Sequence, residues 1–343
     1  MVNKVFFLGA GFSKAVRSHY PLMGELTQQV FERLNKESVR KHLDEIPPLV
    51  KQDIESLLTY LSTDSPWKTD ATKYENKALY SAIVKILSDI FLELAEKEQT
   101  CVYGPYDIGG NIAITISKHL ESYNFITLNY DLLLEQMLLR IIREKTNHDG
   151  ISHQDFYSYP MSWIGSRARS GSFGFASYEK ETILPKILKL HGSANWFWAG
   201  ASPSDILYYR NWNRNEKDNI TMGLKPYIIP PVLDKSSFYN HIAIHEMWRQ
   251  AEALLSNANE IYIVGFSFPQ TDSSVKYLFQ SALRKHQPKI YVVNADTKNH
   301  LQINYKPVFG NIPIDYTYTS ASKAHPDERV LERFAREVMH IPQ

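Results

Sequence analysis

The sequence predicts an α/β fold, a parallel sheet with helices on both faces and a helical lobe inserted into it. Three observations predict this class. Five short apolar runs (VFFL, FITL, ILKL, IYIV and IYVV) are rich in β-branched, Leu or aromatic residues and have the length of strands buried on both faces. Stretches with helical apolar spacing alternate with the later runs, as βαβ units require. Each run also stops on residues able to touch a ligand: Gly9-Ala10-Gly11-Phe12-Ser13, Asn129-Tyr130-Asp131, His191-Gly192-Ser193, Gly265-Phe266-Ser267 and Asn294-Ala295-Asp296. In an open parallel sheet the ligand sits outside the carboxyl ends of the strands, where strand order reverses. The five ends therefore predict one crevice, suited to a nucleotide and carrying reactive side chains.

Composition narrows the classes. The 343 residues can hold a large α/β domain with an accessory lobe, and 43% hydrophobic with 22% charged residues is a globular balance. A formal charge of +1 argues against nucleic acid as the main partner, which normally shows as a basic excess. Cys101 is the single cysteine, so no intramolecular disulfide and no zinc module built on paired cysteines can form, and a buried structural thiol is its expected role. No run of 18 uncharged apolar residues exists, so no membrane span is expected. The N-terminal apolar run is too short for a secretory signal and leads into a glycine turn, which makes the cytoplasm the expected compartment.

The first strand and its glycine turn precede a helix from Pro21 to Leu34, with Leu22, Leu26, Val30 and Leu34 on one stripe. Residues 36–119 contain no convincing strand. Leu49 to Leu61 and Leu79 to Leu94 have helical periodicity, Pro47-Pro48 and Ser65-Pro66 interrupt them, and Cys101 to Gly110 is a turn-rich joint. This stretch is the predicted inserted lobe, dividing a sheet domain formed by residues 1–35 and 120–325. A helix from Leu132 to Ile142 follows the second strand. Residues 146–182 suggest an irregular or β-ribbon excursion, and 194–225, with Trp196, Trp198 and Trp212, a small packed insertion. Tyr227-Ile228-Ile229 is a further candidate strand. Helices from Ile242 to Leu255 and Ser273 to Leu283 alternate with the last strands, and a charged amphipathic tail helix runs from Asp327 to Met339 within residues 326–343.

Each strand-end motif has a functional and a structural reading. Gly9 and Gly11 would let the backbone approach a pyrophosphate with free amides, or merely form a tight turn. Lys14 stands where a third fingerprint glycine would be, which disfavours a standard hydride-transfer enzyme. Asn129 offers a donor and an acceptor to a ribose hydroxyl and a water, while Asx-turn formation competes, and Asp131 could cap the next helix. His191 suits a general base, because histidine changes charge near neutral pH. Gly265, Ser267 and Asp272 offer donors and acceptors to a phosphate or ribose. The same segment approximates a nucleophile elbow, giving a serine hydrolase with Ser267, Asp296 and His300 or His325 as the alternative. Asn294 and Asp296 suit adenosine hydroxyls or a turn. His241 and His245 have metal-pair spacing without the HExxH order and are expected to be ordinary surface or core residues.

In order, GAGFS, TLNYD, KLHGS, GFSFPQTD and VNAD resemble the motif series of the sirtuin-like family, and more specifically its bacterial NAD-hydrolysing branch from phage-defence systems. The resemblance spans about residues 4 to 300. It implies an inverted Rossmann-like NAD-binding fold with a helical module alongside. It assigns Gly9, Ala10, Gly11 and Ser13 to the phosphate loop, Asn129 and Asp131 to the nicotinamide-ribose side, with Asn129 as catalytic amide, and His191 to catalysis. Gly265 and Ser267 fall in a second phosphate and ribose loop, and Asn294 on the adenosine side. Protein-deacylating sirtuins carry four zinc cysteines after the histidine and a longer phosphate-loop motif. Here those cysteines are missing and Lys14 to Leu22 reads KAVRSHYPL. The resemblance therefore implies NAD as substrate rather than cofactor, hydrolysed to nicotinamide and ADP-ribose without a metal, in antiviral NAD depletion. A non-catalytic NAD or ADP-ribose sensor is the alternative. Because free activity would be toxic and no sensor domain is visible, control by homo-oligomerisation or by a partner such as a ring ATPase is expected. The tail helix and the 194–225 insertion are the surfaces considered for it, against ordinary intramolecular packing.

Overall fold

The computed structural model describes residues 3–35, 40–99, 101, 107–118, 120–146, 151–157, 159, 161–164, 184–200, 202, 204–210, 223–284, 286–322 and 329–339. Strands are β1 (Lys4–Leu8), β2 (Tyr123–Thr127), β3 (Ser162–Ile164), β4 (Ile187–Lys189), β5 (Gly192–Trp198), β6 (Tyr208–Arg210), β7 (Lys225–Ile228), β8 (Glu260–Val264), β9 (Lys289–Thr297) and β10 (Ile314–Ser320). Helices are α1 (Ala10–Val16), α2 (Met23–Leu34), α3 (Arg40–Glu45), α4 (Ile54–Ser62), α5 (Asp70–Glu98), α6 (Ile108–Ile116), α7 (Leu133–Thr146), α8 (Ile242–Ser256), α9 (Ser273–Ala282), α10 (Lys298–Phe309) and α11 (Val330–Glu337).

Six strands form one sheet in the order β10-β9-β8-β1-β2-β4, and every pairing in it is parallel. Renumbered by chain order, this is the 3-2-1-4-5-6 arrangement of dinucleotide-binding sheets, with the order reversing between β1 and β8. The expected α/β class is therefore observed. Alternation along β1 sends Phe6 and Phe7 to opposite faces. Phe6 packs on Tyr262 and on Phe334 of α11, whereas Phe7 packs on Phe266 and on Phe279 of α9. The tail helix thus lies on the sheet through the buried Phe334, one face taken up by packing within the chain.

Register decides what the sheet can present. Lys189 pairs with Thr127, Thr127 with Leu8, Leu8 with Val264, and Val264 with Val293. Four strand ends and the middle of β9 therefore stand level in one row, and after β1, β2, β4 and β8 the chain leaves it together.

A second sheet, β3-β6-β5-β7, lies beside the β4 end and uses the candidate strand at Tyr227 as its antiparallel edge. The long α5 begins nine residues before the expected Leu79, because Thr69 caps it by accepting from Thr72 N–H. Ser88 of α5 donates to the Ala194 carbonyl at 2.9 Å, and Gln136 of α7 donates to Ala95 at 2.9 Å, so the helical stretch packs on both sheets' elements. Several elements were not expected: α1, which starts inside the glycine turn, α3, α6, which begins inside the expected joint at Cys101 to Gly110, β5 and β6 around the Trp-rich stretch, α10, and the edge strand β10. Within 146–182 the described part contains a short 3-10 turn at His153–Phe156 and β3; Trp212, His325 and the start of the tail lie outside the described residues. Among the described residues no helix is long and apolar enough to cross a membrane.

Candidate functional site

The five strand ends are laced to one another. The Asn129 side-chain amide donates to the Gly9 carbonyl at 3.0 Å and to Ser13 Oγ at 3.1 Å, tying the turn after β2 to that after β1. Leu190 N–H donates to Thr127 and Ala194 N–H to Tyr130, tying the segment around His191 to the Asn129 turn. Gly11 N–H donates to the Gly265 carbonyl, and Gly265 N–H to Val293, joining β1, β8 and β9. Asn294 Nδ2 then donates to the Phe266 carbonyl. All the expected site segments consequently line one edge.

The glycines have a packing reason to be glycine. A Cβ on Gly9 would lie 2.5 Å from the Gly265 carbonyl oxygen, and one on Gly265 would lie 2.2 Å from Phe12 N. Gly265 also has φ +65°, a conformation that only glycine adopts without cost. The Gly9 and Gly11 amides are spent on the Val264 and Gly265 carbonyls, and Phe12 N–H returns to Gly9. Contrary to the expectation of free amides, these donors serve the close approach of two loops. Ala10, at the start of α1, is the exposed residue of the loop.

Asn129 is half-buried. Both of its amide hydrogens are engaged, which leaves the carbonyl oxygen Oδ1 as its group for a ligand. Ser13 relays the interaction, donating to Asp131 Oδ2 at 2.8 Å. Asp131 Oδ1 accepts from Leu133 N–H at 3.1 Å at the start of α7, an Asx-type turn. Buried on all sides, Asp131 has its pKa raised by desolvation. Its two oxygens are occupied within the protein, so it acts on Asn129 through Ser13 rather than on a ligand directly.

His191 is 4% exposed and its Nε2 has no hydrogen-bond partner. Burial pushes its pKa down to about 4, so the ring is neutral at pH 7. Asp272 opposes that shift by its charge and Lys235 reinforces it. Those two form a largely buried ion pair, which engages one oxygen of the Asp272 carboxylate expected to meet a phosphate or ribose. Above them Glu55 of α4 reaches Thr271, and desolvation raises its pKa. The helical stretch thereby closes over the turn that follows β8.

At the other end, Phe268 holds φ 52°, an unfavourable conformation for an aromatic residue, within a ring cluster of Phe7, Phe279, Tyr305 and Phe309. Tyr305 donates to the Phe266 carbonyl at 2.6 Å. In a nucleophile elbow the strained residue is the serine itself. Here it is the residue after the half-buried Ser267, which is against the elbow. Asn294 and Asp296 lie inside β9, which runs on beyond its expected end. Asn294 Oδ1 accepts from Asp296 N–H at 3.0 Å, and Asp296 pairs with His300.

Lys189, Glu135, Tyr157, Lys235 and Glu55 were missed by sequence reasoning. The first two had a readable signal, a lone charge inside an apolar run (ILKL and LLLEQMLL) that must find a partner if the run is buried.

Metal-type ligands are scarce. Among the described residues one set of three comes together, His42, Glu45 and Glu75 on the helical stretch, with exposed carboxylates. His241, by contrast, is a helix cap, accepting from Ala243 N–H, and His245 is exposed. Cys101 is half-buried rather than buried.

Among curated proteins no match was found. Solved structures that resemble the chain include a Sir2 homologue in complex with NAD, at 12% identity, 98% coverage of this chain and 90% of that one, with TM-score 0.45. A Sir2 homologue variant with ADP-ribose gives 12% identity, 99% and 94% coverage, and TM-score 0.44. A third, Sir2Tm bound to a propionylated peptide, gives 14% identity, 98% and 92% coverage, and TM-score 0.36. The family model described as the SIR2-like domain matches residues 124–307, more than half of the chain and four of its five strand-end motifs. By that match the chain belongs to the SIR2-like domain family.

Proposed function

We propose that the protein hydrolyses NAD at the nicotinamide–ribose bond, giving nicotinamide and ADP-ribose. The observation that carries this reading is the pair of unengaged acceptors on adjoining turns, Asn129 Oδ1 and the neutral His191 Nε2. Nicotinamide leaves as a neutral molecule, taking the bonding pair with it and leaving an oxocarbenium-like ribose. Water then adds its oxygen to the anomeric carbon and must lose a proton. An acceptor that holds a water or ribose hydroxyl by its hydrogen suits this step, because it turns the oxygen lone pair towards the cation. Asn129 takes that role. His191 accepts the hydrogen bond and then the proton, with Asp272 offsetting the charge that develops on the ring.

The turns after β1 and β8 hold the diphosphate side through the exposed Ala10 and the half-buried Ser267, Gly9, Gly11 and Gly265 allowing the loops to approach and Ser13 holding Asn129, while Asn294 and Asp296 take the adenosine side. Their remote contacts hold the ribose in a reactive pose. The absence of zinc cysteines from the sequence favours hydrolysis over acyl-lysine chemistry. Antiviral NAD depletion, a cytoplasmic setting, and control by self-association or by a ring ATPase extend the same reading.

Purified protein incubated with NAD, with nicotinamide followed by chromatography, tests it. Asn129→Ala and His191→Ala are each expected to lower turnover by about 10³-fold, within the usual range for acid–base groups, while binding ADP-ribose. Full turnover by both variants would overturn the assignment. ADP-ribose binding without turnover by the wild type, tested as a monomer and as any oligomer it forms, would leave a sensor in its place.

A further inference from the structure

Beneath the Asn129 turn lies a buried ionic group that the proposed reaction does not use. Lys189 is 0% exposed and Glu135 1% exposed. Lys189 Nζ donates to Glu135 Oε1 at 2.9 Å and also to the main-chain carbonyl of Asp131. Tyr157 donates its hydroxyl to the same Glu135 oxygen at 3.0 Å. A charged pair removed from water in this way is a costly means of holding a core together, since apolar residues of similar size would do so at least as well.

Its placement explains the cost. Lys189 is the last residue of β4, two residues before His191, and Asp131 is two residues after Asn129. A single ammonium therefore bridges the strand that delivers the histidine and the turn that delivers the amide. From Asp131 the connection continues through Ser13 Oγ to Asn129 Nδ2. Glu135, in the first turn of α7, fixes the ammonium, and Tyr157 fixes Glu135. Two side chains from different strands must keep their separation within tenths of an ångström to act on one bond.

We propose that Lys189 is a positioning residue, held by Glu135 and Tyr157, that sets Asn129 relative to His191. The proposal deepens the NAD-hydrolase reading and rests on it for its kinetic consequence only. Removing one charge would strand the other, so the informative variant replaces both: Lys189→Met with Glu135→Leu, alongside Tyr157→Phe, which removes one hydroxyl. The double variant is expected to keep its melting temperature within a few degrees and its KM for NAD within about threefold, yet to lose at least tenfold in kcat. Tyr157→Phe is expected to lose about two- to fivefold in kcat alone. A folded double variant with wild-type kcat would overturn the proposal. If the double variant fails to fold, Tyr157→Phe and Lys189→Arg carry the test, and wild-type kcat in both would overturn it. A crystal structure of the folded variant gives a readout independent of turnover. Asn129 is expected to leave Gly9 and Ser13, and an unmoved turn would overturn the positioning role even if the wild type proved inactive on NAD.

Discussion

The two halves of the strand-end row are built from opposite materials. On the β8–β9 side, the turns are cemented by glycine close approach and by the rings around Phe268, and the polar groups there, the Lys235–Asp272 pair included, are mutually occupied or solvent-facing. On the β2–β4 side, the same kind of sheet edge holds a buried ion pair, a buried carboxylate and a histidine with an orphaned nitrogen. Leaving a buried polar atom without a partner costs about 1–3 kcal/mol. A fold keeps such groups where they do something other than stabilise it. The difference separates an anchoring half, where rigidity is enough, from the half to which the proposed chemistry is assigned.

The sharpest way to break this division is to place a methyl group at Gly265. Gly265→Ala puts a Cβ within 2.2 Å of a backbone nitrogen at φ +65°, where no flexible side chain can give way. Backbone strain of about 1–2 kcal/mol adds to the overlap, so a loss above about 3 kcal/mol, or failure to fold, is expected in urea denaturation. Asn129→Ala on the other half should instead spare stability and remove turnover. If Gly265→Ala folds normally and loses only ligand affinity, the glycines serve the ligand more than the loop contact.

The polar half should reveal itself through pH. Burial pushes both His191 and His153 from the ordinary 6.5 to about 4. Their folded pKa values are depressed, so the folded chain refuses protons that the unfolded chain accepts between these limits. The stability associated with the neutral rings is complete above pH 6.5 and is lost as pH falls towards 4. The upper bound is about 3 kcal/mol for each ring, from 1.36 kcal/mol per unit. Urea midpoints at pH 7 and 4.5 should fall steeply for the wild type and distinctly less for His153→Phe. Equal slopes would show that His153 titrates as an exposed ring.

The anchoring half was the more legible of the two in the sequence. Runs such as IYIV announce a strand because β-branched and aromatic residues fill both faces, and a glycine after one announces a turn. The edge strand β10 was not legible, because exposed Asp315 and Thr317 alternate with half-buried Ile314 and Tyr316 and no continuous apolar run results. Pro307 inside α10 hid that helix. The strands of the second sheet are too short to show periodicity and are set by pairing partners far away in the chain. Candidate site residues could be picked out singly, since they follow closely on apolar strand runs, but their partners could not. Lys189 and Glu135 are 54 residues apart, and only the fold brings the two lone charges together.

The smallest effect should come from the exposed rim of the anchoring half. His300 is 46% exposed, its partner Asp296 is 25% exposed, and each lies at the periphery of β9 and α10. An exposed pair of this kind contributes little to folding, so His300→Ala and Asp296→Ala should each shift stability by no more than about 0.5 kcal/mol. Their consequences for ligand should differ. If Asp296 holds adenosine hydroxyls, Asp296→Ala weakens ADP-ribose binding several-fold, seen by calorimetry. His300→Ala frees the carboxylate and leaves affinity equal or higher. In either variant kcat should stay within about twofold, because remote contacts bind without touching the reacting carbon. A hydrolase using Ser267, Asp296 and His300 would respond in the opposite way, with kcat lost by thousands-fold in each variant and affinity kept. The rim pair therefore tests the division where stability cannot: the same two substitutions discriminate a ribose anchor from a second catalytic centre.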